Sequence, residues 1–520
     1  MQNHYGVTFI SITAIKLNGF FVKMWHFTSK GFFILQDIDI FTIAVRWIFL
    51  VALGYYVMVN LQWYHYKIAR AVFKHHKWRW HIFYLILPIL YFILVPDSIY
   101  LYIGLCIYVL LLGVWIFNLS KKLVLTDRVL RFFGIYIVFI VFNELLLLGI
   151  NGHFIMIHCV YILPLLISIF IASLTEKILL NRYKKLAKDK LESMPTLKII
   201  AITGSYGKTS LKNFLAQILQ ENFKVYSTPR SVNTLAGIIA DINQNLSPLT
   251  DIYIVEAGAR GNGDIREIVD LLAPQIVVVG KIGEAHIEYF KDIENIYRTK
   301  YEILESKRLE VAYIYKDNIQ PTQPLAHIVN FPQNPTAINA TLDGINFSLE
   351  VAREHKEFQT NVLGAFNVIN IGAAIAIGSD LGVSAEHLIK RVQKLEPIPH
   401  RLSKILVNGK IILDDSYNGN LDGMLEAIRL SSLHTGKKII VTPGLIEIST
   451  EANVKLAEAI DEVFDLVIIT GELNAKTLRQ HIHRAQKILL KDKANIEHIL
   501  KSTTNSGDLI LFANDAPSYI

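Results

Sequence analysis

The chain has 520 residues, 52% of them apolar, and a formal net charge of +7 at pH 7. That length is too great for one compact core and predicts two to four units; the mean hydropathy of +0.36, concentrated before about residue 175, argues against a wholly soluble protein. Many basic residues lie between apolar runs, where membrane proteins carry them, so the charge does not indicate a nucleic-acid partner, and two cysteines, Cys106 and Cys159, both in apolar runs, exclude a disulfide framework.

Residues 1–40 are mixed and weakly amphipathic, contain Met24 as a second candidate start, and receive no role. No small-residue cleavage site follows a short apolar core, so a cleaved signal peptide is not expected. Five apolar runs then predict transmembrane helices over about 41–175: Trp47 to Asn60, Ile82 to Val95, Ile99 to Asn118, Gly134 to Ile150 and Phe154 to Leu174. The turns at Pro96–Ser98 and Asn151–His153 carry no Lys or Arg. The segments Lys67–His81, Lys121–Arg131 and Glu176–Lys190 are basic. The positive-inside rule puts all three in the cytoplasm, the N-terminus outside and everything after Leu174 inside. The basic segments also suit contact with lipid headgroups. Glu144 falls inside the fourth run, either as a functional carboxyl or as a protonated one bonded to a neighbouring helix.

A basic juxtamembrane linker over 176–196 leads to a different texture. From Leu197 short β-rich runs alternate with helical patterns, which predicts a parallel α/β sheet. "LKIIAITG" reads as a strand and "KTSLKNFLAQILQ" as a helix. The loop between them is Gly204-Ser205-Tyr206-Gly207-Lys208-Thr209, followed by Ser210. Such a loop aims backbone N–H groups and a helix N-terminus at phosphates. Lys208 would neutralise terminal phosphates and the Thr209 hydroxyl would ligate Mg²⁺. The usual pattern has a glycine where this chain has Ile202. A second strand ends in Glu256, which suits a metal contact at the ligand edge of the sheet or, equally, a cap or a surface carboxylate. His286 follows a third strand, as a ligand or a structural histidine. Lys300 opens a helical pattern and on composition alone is a solvated lysine.

In order along the chain these segments resemble the Mur ligases, ATP-dependent amide-bond-forming enzymes of cell-wall synthesis. The family's loop, Thr-Gly-x-x-Gly-Lys-Thr/Ser, is similar to Thr203–Thr209 and has no earlier glycine. "SVNTLAGI" with Asn233 and Thr234, "EAGARGNGDI" with Glu256, "IGEAHIEYF" with His286 and "TKYEI" with Lys300 resemble further family segments. So do "LGAFNVINIGAAIAIG" with Asn367 and Asn370, "PHRLSKI" with Arg401, and "ILDDSYNGNLDGM" with Asp415, Ser416, Tyr417 and Asn418. The last, with "VTPGLIE" and "LFANDAPSYI", is most similar to the D-alanyl-D-alanine-adding branch. The resemblance covers about 197–520 and implies a central ATP-binding domain at 197–397 and a C-terminal Rossmann-like domain at 398–520. Phe366 stands where many members have His, and the membrane region stands where the family's uridine-nucleotide-gripping domain would be.

The resemblance implies that ATP phosphorylates a carboxylate of a UDP-N-acetylmuramoyl-tripeptide and that the amine of D-Ala-D-Ala then displaces phosphate. It implies two Mg²⁺ ions, held by Thr209, Glu256 and His286, with a carbamylated Lys300 supporting the second. Gly204 to Ser210 would cradle ATP, Asn367 and Asn370 would lie near adenine, and Arg401 and Asp415 at phosphates and ribose. Lys208, Lys300, His286 and Arg401 would be catalytic; Asn233, Thr234, Ser416, Tyr417 and Asn418 would face substrate or the domain seam. The implied setting is the bacterial inner membrane, with membrane lipid and cell-wall synthesis proteins as partners and no nucleic acid. Two other readings stay open: a poly-γ-glutamate synthetase-like ligase of the same superfamily, and a membrane scaffold or transporter with a nucleotide-sensing domain.

Overall fold

A computed structural model describes residues 40–514, apart from 65, 74–77, 96–97, 120–121, 149–154, 231, 285–286, 322–326, 418, 446–448 and 491–494. The segment around Met24, part of the expected turn at Pro96–Ser98 and all of that at Asn151–His153 lie outside the described residues. The chain divides into two compact units, Met1–Asn181 and Arg182–Ile520.

The first unit is helical. Helices α1 (Ile40–Trp63), α2 (Ile68–Phe73), α3 (Arg79–Leu94), α4 (Ile99–Phe117), α5 (Asp127–Leu148) and α6 (Ile155–Glu192) follow in order. Four of them, α1, α4, α5 and α6, are long and apolar enough to cross a bilayer. The second of the five expected spans falls in α3, roughly 24 Å long at ~1.5 Å per residue, which is short of a ~30 Å hydrocarbon core. Within α3 a π-helical turn, Ile82–Ile86, precedes Pro88; the proline has no N–H to donate back to the preceding turn, and the wider turn relieves that clash. The basic stretch expected to be a linker instead continues α6 as helix to Glu192. Phe49, Leu53, Tyr56, Phe92, Leu105 and Tyr136 are buried between helices, while Leu94, Leu110 and Phe117 stay exposed on outer faces. Large exposed apolar faces of this kind need an apolar solvent or partner.

Glu144 sits inside this unit, 6% exposed. Its carboxylate accepts from Arg46 at 3.5 Å, from the Trp47 indole at 3.3 Å and from the Tyr161 hydroxyl at 3.2 Å. Bonding to neighbouring helices is thus present, with an arginine counter-ion that the sequence reading did not anticipate.

In the second unit, six parallel strands run in the order β2-β3-β1-β4-β5-β6. They are β1 (Lys198–Thr203), β2 (Val225–Ser227), β3 (Ile252–Glu256), β4 (Ile276–Val279), β5 (Val311–Tyr315) and β6 (Ile328–Phe331). β1, β3 and β4 are continuous buried runs, as a sheet covered on both faces requires. Because β1 lies between β3 and β4, chain connections leave it in opposite directions, and the loop after β1 opens at the crevice this creates. A three-stranded antiparallel sheet, β7 (Thr336–Thr341), β8 (Gly344–Val351) and β9 (Glu354–Thr360), follows; the sequence reading had not separated it.

The second six-stranded sheet has the order β10-β11-β15-β12-β13-β14 and is parallel except at its β10 edge. Its strands are β10 (Ser403–Val407), β11 (Lys410–Asp415), β12 (Lys438–Thr442), β13 (Leu466–Thr470), β14 (Gln486–Leu490) and β15 (Leu509–Ala513). β11 and β12 both pair with β15, so three segments distant in sequence end side by side. Asn514 stitches them together. Its N–H donates to Asp415 O and its Nδ2 to Gly444 O, both at 2.9 Å, and its Oδ1 accepts from the Gly419 N–H at 3.1 Å.

Candidate active site

The loop after β1 is shaped by two glycines. Gly204 has φ +148°, and a Cβ there would meet the Gly280 backbone at 3.2 Å; Gly207 has φ +75°, and its Cβ would meet Asn370 Oδ1 at 2.4 Å. Neither backbone path suits a side chain. Gly207 precedes helix α7 (Lys208–Leu219), whose first N–H groups open into the crevice. Ser205 closes the loop, accepting from Gly283 N–H at 3.0 Å and donating to Gly283 O at 2.9 Å. The Tyr206 ring lies against Gly283, and Ser210 is buried inside α7.

Lys208 folds back along the loop, donating from Nζ to Gly204 O at 2.9 Å. Burial holds its amine below the ordinary lysine value; Glu256 opposes this shift and Arg401 adds to it. The Thr209 hydroxyl donates to Glu256 Oε2 at 2.8 Å, and Asn233 Nδ2 donates to Glu256 Oε1 at 3.0 Å. A threonine hydroxyl beside a carboxylate at the mouth of a phosphate-type loop is an all-oxygen donor set that fits Mg²⁺, completed by phosphate oxygens and water. Among the described residues no group of three or more His, Cys, Asp or Glu side chains could hold a metal alone. His286 lies outside the described residues.

Lys300 is on helix α8 (Ile293–Tyr301) and is 3% exposed, not a solvated lysine. Burial, reinforced by the positive charge of Lys208, pushes its pKa down to about 7, against the pull of Asp264, Glu256 and Glu302. Glu302 is itself fixed, accepting from the Gly263 N–H at 2.7 Å and the Arg266 N–H at 3.0 Å. The glycine-rich turn after β3 is thereby tied to the Lys300 helix.

The second sheet brings Arg401 to the same charged region: its pKa is lowered by burial and supported by Asp415, Glu256 and Tyr417. The guanidinium lies 4.6 Å from the centre of the Tyr417 ring. Asp415 is pushed up to about 6 by burial, although Arg401 and the Leu402 N–H favour its charged form. His400 and Leu402, which flank Arg401, both have positive φ, 64° and 52°. Such backbone is strained for these residues and persists where surroundings dictate it.

The remaining predicted residues divide. Asn370 touches the loop at Gly207, and its Nδ2 donates to Asn367 Oδ1 at 3.1 Å. Asn367 is buried and donates to Leu363 O at 2.8 Å. Thr234 caps a helix, accepting from the Gly237 N–H at 3.3 Å. Ser416 turns to Asp414, donating from Oγ to Oδ1 at 2.6 Å. Asn418 lies outside the described residues.

Three features escaped the sequence reading. Lys281 Nζ meets Asp422 at 2.6 Å, joining the loop after β4 to the segment after β11. Lys212, 1% exposed, donates to Thr228 O and Arg230 O, both at 2.5 Å, one turn beyond Lys208. Asp414, beside His400, was read only as part of a motif. A buried cation in α7 and the doubled aspartate were the available signals.

Residues 202–378 match the family described as the Mur ligase middle domain. The chain is 27% identical over 355 residues to the UDP-N-acetylmuramoyl-tripeptide–D-alanyl-D-alanine ligase of Bacillus subtilis, covering 64% of this chain and 76% of that one. It is 27% identical over 279 residues to the enzyme of that name from Escherichia coli, covering 50% and 62%. Among solved structures, the MurF ligase of Thermotoga maritima in complex with ADP superposes with a TM-score of 0.58 at 25% identity, over 65% of this chain and 80% of that one. MurF from Acinetobacter baumannii shares the fold, with a TM-score of 0.57 at 23% identity over 64% and 77%.

Proposed function

We infer that this chain, which belongs to the Mur ligase family, is the ATP-dependent ligase that adds D-alanyl-D-alanine to a UDP-N-acetylmuramoyl-tripeptide. The observation that carries the reading is the convergence of two sheets' strand ends: Lys208, Thr209 and Glu256 from one, Arg401 and Asp415 from the other, coupled by charge. Passing a phosphoryl group between anions needs positioned positive charge more than covalent help. Lys208 and the loop N–H groups would hold the ATP phosphates, Arg401 would face them from the second sheet, and Asp415 would take the ribose. Thr209 and Glu256 would hold Mg²⁺, which would offset the charge developing on the transferred phosphoryl group.

Lys300 suits carbamylation. A neutral amine attacks CO₂, forms an N–C bond and releases one proton, so an amine held near pH 7 by burial is reactive at neutral pH. The product is an anion, which would support a second Mg²⁺ beside His286. We assign 197–397 to the ATP-binding domain and 398–520 to the C-terminal domain. Split between them, the site can close around an acyl phosphate that water would otherwise destroy.

We also propose that the helical unit anchors the enzyme in the bacterial inner membrane with its catalytic unit in the cytoplasm. Four long apolar helices and the basic segments between them support this. Alkaline carbonate extraction tests it: release of the full chain from membranes would overturn the anchor.

Purified full-length protein with ATP, Mg²⁺, the tripeptide nucleotide and D-Ala-D-Ala should release phosphate only when both substrates are present. Release with glutamate alone would replace this reading with a poly-γ-glutamate synthetase-like one. No release with any acceptor would leave a nucleotide-sensing role.

A further inference from the structure

We propose that His400, oriented by Asp414, is the general base that takes a proton from the incoming amine in the amide-forming half-reaction. This deepens the ligase reading and rests on it.

The problem is chemical. An amino group of ordinary pKa, about 8, arrives mostly as ammonium at neutral pH and has no lone pair to attack with. The site is crowded with cations, Lys208 and Arg401, which donate protons and cannot accept them. Glu256 is assigned to Mg²⁺ with Thr209, and its other oxygen accepts from Asn233. His400 differs. Its Nδ1 lies 2.8 Å from Asp414 Oδ2, and Asp414 also accepts from the Ser416 hydroxyl at 2.6 Å and the Ser416 N–H at 3.2 Å. Ser416 fills Asp414 Oδ1 with both its hydroxyl and its N–H, leaving Oδ2 to face Nδ1, which also lies 3.3 Å from the Ser416 hydroxyl; we therefore place the ring proton of neutral His400 on Nδ1. The lone pair is then on Nε2, which bonds to no described residue.

Position fits the task. Asp414 is enclosed, its side chain 2% exposed, whereas the His400 side chain is 42% exposed. One edge of the ring is fixed and the other is open. His400 immediately precedes Arg401, whose charge is coupled to Glu256 and Lys208 at the loop after β1. Its carbonyl also accepts from the Tyr417 N–H at 3.3 Å, and its backbone is held at φ +64°. Arg401, Asp415 and Tyr417 are the charged or titratable neighbours supplied by its own loop and by the end of β11.

In the step, an N–H bond of the ammonium breaks and its proton moves to Nε2 while the electron pair stays on nitrogen. That pair forms the C–N bond at the acyl-phosphate carbonyl. The C–O bond to phosphate breaks, phosphate leaving with the electron pair and taking the second amine proton. The imidazolium, held against Asp414, returns its proton to water.

Hydroxylamine separates this role from a structural one. It is largely unprotonated at neutral pH, so it traps the acyl phosphate as a hydroxamate without needing a base. In full-length His400→Gln, kcat for D-Ala-D-Ala ligation should fall by about 10²–10³-fold, within the usual range for a general base, while hydroxamate formation stays within about twofold of wild type. Asp414→Asn should show the same split, because it releases the tautomer. Ligation by His400→Gln within about fivefold of wild type overturns the proposal. So does parallel loss of ligation and hydroxamate in both variants, which would mark a structural pair. Wild-type protein that forms no hydroxamate from the tripeptide nucleotide would remove the ligase reading, and this inference with it.

Discussion

The Thr209 hydroxyl donates a 2.8 Å hydrogen bond to Glu256, although the two residues are 47 positions apart in the chain. The contact exists because β1 and β3 are parallel neighbours, in a register that pairs Ile202 with Glu256. Both side chains would turn to Mg²⁺ with nucleotide bound. Glu256→Gln should therefore raise the Mg²⁺ concentration for half-maximal ADP formation by at least about tenfold, since a neutral oxygen holds a hard cation less well. An unchanged Mg²⁺ titration would remove Glu256 from the metal site.

Lys208→Ala should abolish ATP turnover, with ADP formation falling by about 10³-fold or more, because the main positive charge at the loop is lost. Unimpaired ligation by this variant would remove the phosphate-loop assignment.

Lys300→Ala should be inactive and partly restored by short-chain carboxylic acids, which replace the carbamate's charge. Full activity in the variant would end the carbamate proposal. A stability consequence follows for the unmodified enzyme. The folded Lys300 pKa, about 7, lies below the ordinary 10.5. The unfolded chain binds more protons between these values, so this group's penalty is complete below pH 7 and fades as pH rises. Lys300→Met should raise the Tm of CO₂-depleted protein at pH 7 while removing activity; an unchanged or lower Tm would count against a buried, uncompensated amine.

Asp415 has the opposite linkage. Its folded pKa, about 6, lies above the ordinary 3.8. The folded state binds more protons in that window, so stability falls as pH rises through it, and the penalty is complete above about pH 6. Asp415→Asn should stabilise the ligand-free protein by on the order of 2 kcal/mol at pH 7.5 and by little at pH 3.5, with slower ligation. Equal stabilisation at both pH values would contradict burial as the cause.

In the helical unit, Arg46 and Glu144 form a buried pair at 3.5 Å, with side chains 10% and 7% exposed. Removing one partner strands the other charge, so Glu144→Leu should lower stability in detergent by about 3 kcal/mol. The double variant Arg46→Met/Glu144→Leu should recover most of that loss. A double variant as unstable as the sum of the singles would show that the two charges do not compensate each other.

Local patterns in the sequence determined a good deal. Alternating apolar runs and turns fixed an α/β unit after residue 197, the strand-loop-helix at Ile199–Asn213 and a helical region before it. Ile202 lies buried in β1, one residue before its end, and the missing early glycine is simply strand. Sequence could not decide whether Lys300 was solvated, because helical periodicity in a short polar segment is blind to what packs above it. Nor could it see that Thr234 caps a helix while Asn233 faces Glu256, or that Arg46 answers Glu144 across 98 positions. Strand order decided the rest. Placing β1 between β3 and β4, and β15 between β11 and β12, gathered loops from distant parts of the chain at common edges. Local sequence sets which elements form, because their hydrogen bonds and side-chain periods are local. Burial and charge coupling arise only when non-local strands meet, the His400–Asp414 pair when the β10–β11 hairpin closes, and those terms set the chemistry of the site.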